Sequence, residues 1–189
     1  MKNNPNSPSP EIKTIILAMN KPRGVICTHL DEKKRTKVYD LLPSRLIKNI
    51  EGKIHSIGRL DYNSQGLLLL TNNTKIKNYM ENPTSRIERV YKVKVQGIVE
   101  EKHKIKILRG ISIEKKSYDV LSLQMLSKTR TYTWMKITLI RGKNQHIRKI
   151  FFKLGMSVNK LIRIQYGPYK LTNLKIGEVK ILNSKKMKL

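Results

Sequence analysis

The sequence predicts a domain of the α+β class that contains a substantial antiparallel sheet. With 189 residues, the chain is long enough for one domain, or two tightly joined subdomains, around a hydrophobic core. Its β-rich runs and amphipathic helical segments follow one another in an order that favours a mixed domain. No period of about 20 to 50 residues repeats, which excludes solenoids and propellers.

The first part of the chain predicts short elements joined by turns. Two β-rich runs cover residues 15–19 and 25–28, and a Lys-Pro-Arg-Gly turn separates them. Residues 36–43 are typical of a short helix that ends at Pro43. A strand is expected near residues 54–57.

The apolar run at residues 67–71 predicts a strand that is buried on both faces. Gly66 and Asn72 bound it, and every position between them except the last is leucine. A helix is expected to follow, capped by Asn and Thr and ended before Pro83. The β-branched content of residues 89–97 then favours a further strand.

The rest of the chain predicts two helices and a pair of strands. Residues 100–108 are typical of a helix that stops at Gly110. The runs at 118–126 and 132–140 are expected to form paired strands.

The segment "NQHIRKIFFKLG" predicts the clearest helix of the chain. Ile147, Ile150, Phe151 and Leu154 fall at i, i+3, i+4 and i+7, which places them on one helical face. Gly155 supplies the C-terminal stop.

The composition indicates a polyanionic partner. Forty Lys and Arg against 13 Asp and Glu give a formal net charge of +27, well suited to nucleic acid. No acidic residue lies between Asp119 and Glu178, so much of the positive field comes from the C-terminal half. For any single lysine, simple solvation on the surface explains its presence about equally well.

The remaining composition narrows the class of protein. Cys27 is the only cysteine, which excludes a disulfide framework and a cysteine-based zinc cluster and fits a reducing, cytoplasmic setting. The four histidines show no metal-binding spacing, so no metal site is predicted. The apolar runs are too short to span a bilayer. Trp134, the single tryptophan, is predicted to lie in the core.

The two ends of the chain predict tails around one folded unit. Residues 1–13 combine Pro, Ser and Asn without apolar periodicity and without the apolar core of a signal peptide, so a disordered tail is expected there. The folded domain is expected at residues 14–184, and residues 185–189 form a basic C-terminal tail.

Asp61 is the candidate functional carboxylate of this basic chain. It lies in the polar loop that precedes the leucine run, between Gly58 and Gly66 and two residues after Arg59. Aspartate often stabilises a turn through its own backbone, which is the simpler explanation. A carboxylate in a protein that binds phosphates repels the ligand unless it takes part in chemistry or orients a cation. A buried strand next to the loop is also the kind of rigid support on which sites are built.

The loop that contains Asp61 and the strand after it resemble the signature of a known family. The stretch "GRLDYNSQGLLLLTNN" resembles the Gly-Arg-Leu-Asp-x-x-(Thr/Ser)-x-Gly-Leu-Leu-Leu-Leu-Thr-Asn signature of the RsuA-type family of RNA pseudouridine synthases. "NKPRGVICT", "IERVYKVKVQG", "RGKNQHIRKIFFKLG" and "LIRIQYGPYKLTNLKIGEV" are similar to other stretches of that family, in the expected order. The resemblance extends from residue 14 to residue 181.

The resemblance implies the pseudouridine synthase fold, with a mixed, mostly antiparallel sheet in two halves, flanking helices and a central basic cleft. It also implies a cofactor-free isomerase in which Asp61 converts a uridine to pseudouridine. Asp61 would either attack the ribose covalently or remove a ribose proton to give a glycal. Because the target nucleotide must leave its stack, the resemblance places Arg59 in the vacated space.

The resemblance assigns roles to three further residues. Tyr91 would stack on the flipped uracil and place its hydroxyl for proton transfer, although an ordinary strand aromatic is the alternative. Arg148 would pair with Asp61 and keep it ionised. Ile147 would pack under the base, a role that its place in the helix core serves equally.

Other residues are predicted to contact the RNA. Charge and placement suggest phosphate contacts for basic residues of the first turn and of the C-terminal half. With the polar residues before the predicted helix, the set is Lys21, Arg23, Arg141, Lys143, Asn144, Gln145, Lys149, Lys160 and Arg163. Gln145 and His146 depart from the family pattern at the start of that helix, which is expected to affect substrate choice.

Only residues 1–13 precede the matched region, so the chain resembles the compact subgroup that acts on large-subunit ribosomal RNA without a separate RNA-binding module. A monomer that binds ribosomal RNA and no membrane is expected. The alternative is a non-catalytic RNA-binding factor for ribosome assembly. A DNA-binding protein is less well supported, because no partner helix lies at helix-turn-helix spacing.

Overall fold

The computed structural model describes residues 12–183. The segments 1–11 and 184–189, which contain most of the predicted disordered tail and the basic C-terminal tail, lie outside the described residues. The strands are β1 (Ile16–Lys21), β2 (His55–Ile57), β3 (Gln65–Thr71), β4 (Arg89–Gln96), β5 (Ile111–Ile113), β6 (Lys116–Tyr118), β7 (Ser122–Lys128), β8 (Tyr132–Leu139), β9 (Val158–Tyr166), β10 (Tyr169–Lys170) and β11 (Val179–Leu182). The α-helices are α1 (Ser44–Ile47), α2 (Thr74–Glu81), α3 (Glu101–Leu108) and α4 (His146–Lys153).

One large, mixed sheet organises the molecule. Its strand order is β11-β1-β3-β9-β4-β8-β7, with β2 paired to β3 and β10 paired to β9, while β5 and β6 form a separate hairpin. The pairing of β3 with β9 is parallel, and the other pairings between these eleven strands are antiparallel. The short β3–β9 contact therefore joins two antiparallel halves, and the predicted α+β class is confirmed.

Strand β3 is buried on both faces, as its leucine run predicts. Leu68 and Leu70 belong to the apolar cluster that α3 and α4 help to form. Leu67 and Leu69 belong to a second cluster on the opposite face, to which α2 contributes. Because both faces are covered, β3 is a fixed anchor for the loop that precedes it.

Helix α4 confirms the predicted apolar stripe. Ile147, Ile150 and Phe151 are buried, and Leu154 lies half-buried directly after the last helical turn. Gly155 follows with a φ of +74°, a left-handed conformation that suits glycine at the end of a helix. None of the helices in residues 12–183 is long and apolar enough to cross a membrane.

Two predicted elements differ from the structure. Residues 25–28 form a loop with one isolated bridge between Ile26 and Lys37 instead of a strand. The expected helix at 36–43 is only a 3-10 turn, Val38–Leu41, and Pro43 starts α1 instead of ending a helix. Proline suits the start of a helix, where its missing N–H needs no partner, so both uses were compatible with the sequence.

Strand β9 was not predicted, although it lies at the centre of the sheet. It pairs with both β3 and β4 and thereby connects the two halves. Its sequence, "VNKLIRIQY", places Lys160 and Arg163 among apolar residues, which hides the usual pattern of a central strand.

Candidate active site

A cleft of about 930 Å³ draws its walls from both halves of the sheet. The loop before β3, strand β4 and the segment between β8 and α4 all contribute to it. The predicted site residues that line it are Arg59, Asp61, Tyr91, Arg141, Lys143, Asn144, Gln145, Ile147 and Arg163.

Asp61 presents an unpaired carboxylate to this cleft. It starts a turn in which the Ser64 backbone N–H donates to the Asp61 carbonyl at 2.9 Å. The carboxylate itself accepts no hydrogen bond and forms no salt bridge with any residue between 12 and 183. The side chain is therefore not needed to form the turn, which argues against a purely structural role.

The loop around Asp61 is held through its backbone carbonyls. Six consecutive carbonyl oxygens, from Arg59 to Ser64, each accept a hydrogen bond from outside the loop. In order, the donors are Arg163 Nη1, Cys27 Sγ, Lys21 Nζ, the Gly24 backbone N–H, Arg148 Nη2 and again Lys21 Nζ. Because a loop so fully bonded resists displacement, the carboxylate keeps a defined position without being bonded itself.

Lys21 is one of these donors, and its prediction as a phosphate contact was wrong. Its side chain is fully buried, and Nζ donates to the carbonyls of Pro22 at 2.9 Å, Asp61 at 3.3 Å and Ser64 at 3.0 Å. Burial lowers the pKa of this ammonium, while the nearby Cys27 and Asp61 act in the opposite direction. An ammonium with its three donors used inside the protein cannot reach a phosphate.

Arg163 was also wrongly predicted to contact phosphate. It is 1 % exposed, and Nε donates to the Leu67 carbonyl at 2.7 Å while Nη1 reaches the Arg59 carbonyl at 3.4 Å. The same guanidinium therefore contacts both the start of the Asp61 loop and the strand that follows it. Since Arg163 lies on β9, this central strand connects directly to the loop.

Arg148 does not form the ion pair with Asp61 that the family resemblance implies. No salt bridge within 4.0 Å joins them among the described residues. Nη2 instead donates to the Asn63 carbonyl at 3.1 Å, and Nη1 donates to the Val158 carbonyl at 2.9 Å. Burial lowers the pKa of the Arg148 guanidinium, and the charge of Asp61 partly offsets this effect. The Arg148 guanidinium therefore interacts with the charge of Asp61 without a direct contact, and it holds the loop in place through its hydrogen bond to the Asn63 carbonyl.

Tyr91 lines the same cleft from strand β4. It is paired with Ile137 of β8 and Arg163 of β9, and its side chain is 8 % exposed. The Tyr91 hydroxyl has no hydrogen-bond partner among the residues described here. A ring held in the sheet with a free hydroxyl is suited to contact a planar ligand.

The other predicted RNA contacts divide into two groups. Arg59, Arg141, Asn144 and Gln145 are exposed and line the cleft, and Lys143 lines it half-buried beside the Tyr118 ring. A second group lies outside the cleft lining and consists of Arg23 in the first turn, Lys149 over the Tyr118 ring and Lys160 on β9.

Arg89 is a cleft residue that the sequence reasoning missed. It is 7 % exposed and donates to the Met80 carbonyl and the Tyr166 hydroxyl, both at 3.0 Å, and to the Ile87 and Ile140 carbonyls. It therefore ties the end of β8 to α2 across the cleft wall. An arginine at the start of a β-rich run was the available signal, but its partners are distant in sequence.

His146 borders the cleft but is almost completely buried. It is 3 % exposed, its ring packs edge-to-face on Tyr118 at 5.1 Å, and neither ring nitrogen is hydrogen-bonded within residues 12–183. Burial lowers the pKa of this imidazole, while Asp119 acts in the opposite direction. Gln145 and His146 both depart from the family pattern, and of these two residues only Gln145 is exposed to a ligand.

The lowered pKa of His146 predicts a loss of stability in mild acid. Below a pH of about 6.5 the unfolded chain protonates this histidine before the folded protein does. The unfolded state then binds more protons, so the free energy of unfolding is at its full value above that pH and falls as the pH falls toward the folded pKa. Urea unfolding between about pH 7.5 and 5.5 should show a shallower pH dependence for His146→Gln than for wild type. Identical slopes would contradict this assignment.

Comparison with known proteins relates this chain to RNA pseudouridine synthases. The family model of RNA pseudouridylate synthases matches residues 15–153. An uncharacterized RNA pseudouridine synthase of Rickettsia conorii is 41% identical over 170 residues, which cover 87% of this chain and 69% of that protein. The ribosomal large subunit pseudouridine synthase B of Buchnera aphidicola from Acyrthosiphon pisum is 40% identical over 178 residues, which cover 92% of this chain and 69% of that protein.

Solved structures agree on the fold. A crystal structure of a pseudouridylate synthase superimposes with a TM-score of 0.80 at 26% identity, over 93% of this chain and 73% of that one. The Nop10-Cbf5 complex of an archaeal box H/ACA sRNP shares the fold at 19% identity, with a TM-score of 0.61 over 84% of this chain and 49% of that one. These matches confirm the predicted fold, while the family model and the relatives named as pseudouridine synthases favour an enzyme over a non-catalytic assembly factor. With a family model that covers residues 15–153 and relatives that match most of its length, this chain belongs to the family of RNA pseudouridine synthases, isomerases that act on uridine in RNA.

Proposed function

We propose that this protein converts one uridine of large-subunit ribosomal RNA to pseudouridine, with Asp61 as its catalytic carboxylate. The observation that carries the proposal is the unpaired Asp61 carboxylate, fixed in position by its backbone in a cleft whose exposed charges are otherwise largely cationic. The choice of RNA is supported by the relatives named as large-subunit synthases, at 39% and 40% identity.

The reaction needs no cofactor because it only rearranges bonds. The bond between uracil N1 and ribose C1′ breaks, a bond from C5 to C1′ forms, C5 loses a proton and N1 gains one. An ionised carboxylate beside the sugar serves this chemistry whether it attacks the ribose or removes a ribose proton. With a volume of about 930 Å³, the cleft can take a flipped nucleotide.

Two further side chains take the roles that the family resemblance implies, and their position in the cleft supports these roles. Tyr91 stacks on the flipped uracil, since its ring is held by the sheet and faces the same cleft as Asp61. Arg59 occupies the space that the flipped base leaves in the RNA, a role that the family resemblance implies and that its exposure in the cleft lining supports. Phosphate contacts at the rim come from Arg141 and Lys143.

Pseudouridine mapping of total ribosomal and transfer RNA tests the proposal. Cells without the gene would be compared with cells complemented by wild type or by Asp61→Asn. The expected result is the loss of one site in large-subunit ribosomal RNA that only the wild-type gene restores. An unchanged map together with an assembly defect would overturn the proposal in favour of the non-catalytic factor.

Arg148→Ala should impair turnover far more than Lys153→Ala on the same helix. Arg148 bonds the Asn63 carbonyl of the Asp61 loop, whereas Lys153 is exposed and makes no such contact. A displacement of the carboxylate by about 1 Å can cost about 100-fold in rate, so kcat should fall about 10- to 100-fold with a much smaller change in KM. Arg148→Lys should recover part of the loss, because a single ammonium can replace only one of the two bonds.

Steady-state kinetics on the mapped RNA site, with melting temperatures for each variant, would test this expectation. Equal effects of Arg148→Ala and Lys153→Ala would refute the positioning role. A loss of turnover explained wholly by a lower melting temperature would also refute it.

A further inference from the structure

The outer face of strands β4, β8 and β9 is basic and aromatic. Because side chains alternate along a strand, β4 directs Tyr91, Val93 and Val95 into the apolar core and Lys92 and Lys94 to the other face. We call this other surface the basic-aromatic face. Its members are Lys92, Lys94, Tyr132, Trp134, Lys136 and Lys160.

The two aromatic rings of this face lie directly under lysine ammonium groups. Lys94 Nζ is 3.8 Å from the Tyr132 ring centroid, and Lys92 Nζ is 5.0 Å from the Trp134 ring centroid. Trp134 is half-exposed, so its predicted place in the core was wrong. Tyr132 is half-exposed as well. Both rings therefore present part of their surface to solvent beside positive charge.

The lysines of this face lack acidic partners. Lys92 lies opposite Lys136 on β8, and Lys94 lies opposite Lys160 on β9. None of the four takes part in a salt bridge within residues 12–183. Like charges directly opposite each other destabilise a sheet, so these two pairs reduce the stability of the fold. A polyanionic ligand would remove that repulsion.

The lysine charges and the two aromatic rings together indicate which kind of polyanion this face binds. An acidic protein segment would satisfy the lysines but would not need two partly exposed rings. Single-stranded RNA satisfies both, because its phosphates pair with lysine and its bases stack on aromatic side chains. Tyr132 and Trp134 are two residues apart on one strand and hence about 7 Å apart, on the same face. Two unstacked bases of an extended strand can reach such a pair.

We propose that the basic-aromatic face is a second RNA-binding surface, which holds a single-stranded segment of the substrate RNA on the side of the sheet opposite Tyr91. The identity of that RNA as the substrate rests on the proposed function, but the binding itself does not depend on catalysis. Contact at two faces of one sheet lets a large RNA gain affinity away from the reacting nucleotide.

The single tryptophan makes this proposal directly testable. Trp134 is the only tryptophan of the chain, so its fluorescence reports on this face alone. Titration of the full-length protein with an oligouridine of about 12 nucleotides should quench the emission in a saturable way. The same quenching is expected in Asp61→Asn, which separates binding at this face from the isomerisation reaction.

Charge variants test the contribution of the lysines. Lys92→Gln/Lys94→Gln should weaken oligouridine binding and lower the slope of log K against log salt by about 1.4, since each phosphate neutralised on a single strand contributes about 0.7. The matched control is Lys106→Gln/Lys180→Gln, which removes the same charge from exposed positions on α3 and β11. It should leave the slope close to that of wild type.

Ring variants separate stacking from charge. Trp134→Phe should keep the affinity measured by anisotropy of labelled oligouridine, whereas Trp134→Ala should lose about tenfold. Comparable melting temperatures would show that each variant is folded. RNA binding without any change in Trp134 emission, or equal slopes for the two double variants, would overturn the proposal.

A polyglutamate of matched charge serves as the competing ligand. If it quenches Trp134 as well as oligouridine does, the face binds acidic polymers in general and the assignment to RNA is overturned. If only the RNA quenches, the assignment stands. An absence of quenching together with a positive pseudouridine map would reject this surface while leaving the proposed function intact.

Discussion

Asp61→Asn is expected to abolish isomerisation while leaving RNA affinity within several-fold of wild type. Asparagine has almost the same volume but no charge, and it can act neither as a nucleophile nor as a base toward the ribose. A positioned catalytic group of this kind contributes about 100- to 10,000-fold, so the single-turnover rate should fall by about 100- to 10,000-fold. Binding should persist because one carboxylate adds little to an interface dominated by phosphate contacts.

The structure also predicts that Asp61→Asn folds normally. The carboxylate accepts no hydrogen bond from a residue described here, so its removal leaves no internal donor unpaired. The loop keeps its place because Lys21, Arg148 and Arg163 bond its carbonyls, which the substitution does not change. This combination of a large catalytic effect with a small structural effect is characteristic of a group that acts on the substrate.

Rapid-quench pseudouridine detection on the mapped RNA site would measure the rate, and filter binding at fixed salt would measure the affinity. Asp119→Asn is a suitable control, because Asp119 is exposed and lies outside the cleft lining. Turnover of Asp61→Asn within tenfold of wild type would refute the catalytic assignment. A large loss of RNA binding at an unchanged melting temperature would refute it as well.

The sequence predicted those parts of the site that depend on local pattern. The leucine run of β3 and the apolar stripe of α4 have periodicities that identify a buried strand and an amphipathic helix, and both are present. The sequence therefore located the loop that carries Asp61. Asp61 lies in the same cleft as Tyr91 because the buried strand β3 fixes the end of the loop that carries it.

The roles of the buried cations could not be predicted in the same way. Lysine and arginine usually lie at the surface, so Lys21 and Arg163 were assigned to phosphate. Their true partners are backbone carbonyls, which every residue possesses and which therefore leave no trace in the sequence. The acceptors also lie 43 and 96 residues from their donors, and only the tertiary fold brings them together.

The use of cations as loop supports has a physical reason. Lysine and arginine only donate hydrogen bonds, so one side chain can satisfy two or three carbonyls that point the same way. A chain rich in Lys and Arg can thus use part of its charge to build the site and the rest to bind RNA.

Gly66→Ala is expected to destabilise the protein by about 4 kcal/mol or more, the range of severe core substitutions. Gly66 has a φ of +107°, where an L-residue is strained, and it lies in the parallel contact of β3 with β9. A Cβ at this position would lie 2.8 Å from the Arg163 backbone nitrogen and 3.0 Å from Ile162 Cγ2. Two central strands would have to separate, since backbone atoms cannot move aside as a flexible side chain can.

Gly52→Ala separates the two causes of this effect. Gly52 also has a positive φ, +80°, but a Cβ there would meet nothing within 4 Å. It should therefore cost only the conformational strain, about 1 kcal/mol, and leave activity unchanged. Gly66→Ala should in addition lower turnover of the remaining folded protein, because a shift of Arg163 moves its bond to the Arg59 carbonyl in the Asp61 loop. Urea unfolding and single-turnover assays of both variants would measure these differences. Equal destabilisation by the two substitutions would show that the β3–β9 contact tolerates a side chain. It would also show that the position of Arg163 on β9 does not anchor the Asp61 loop.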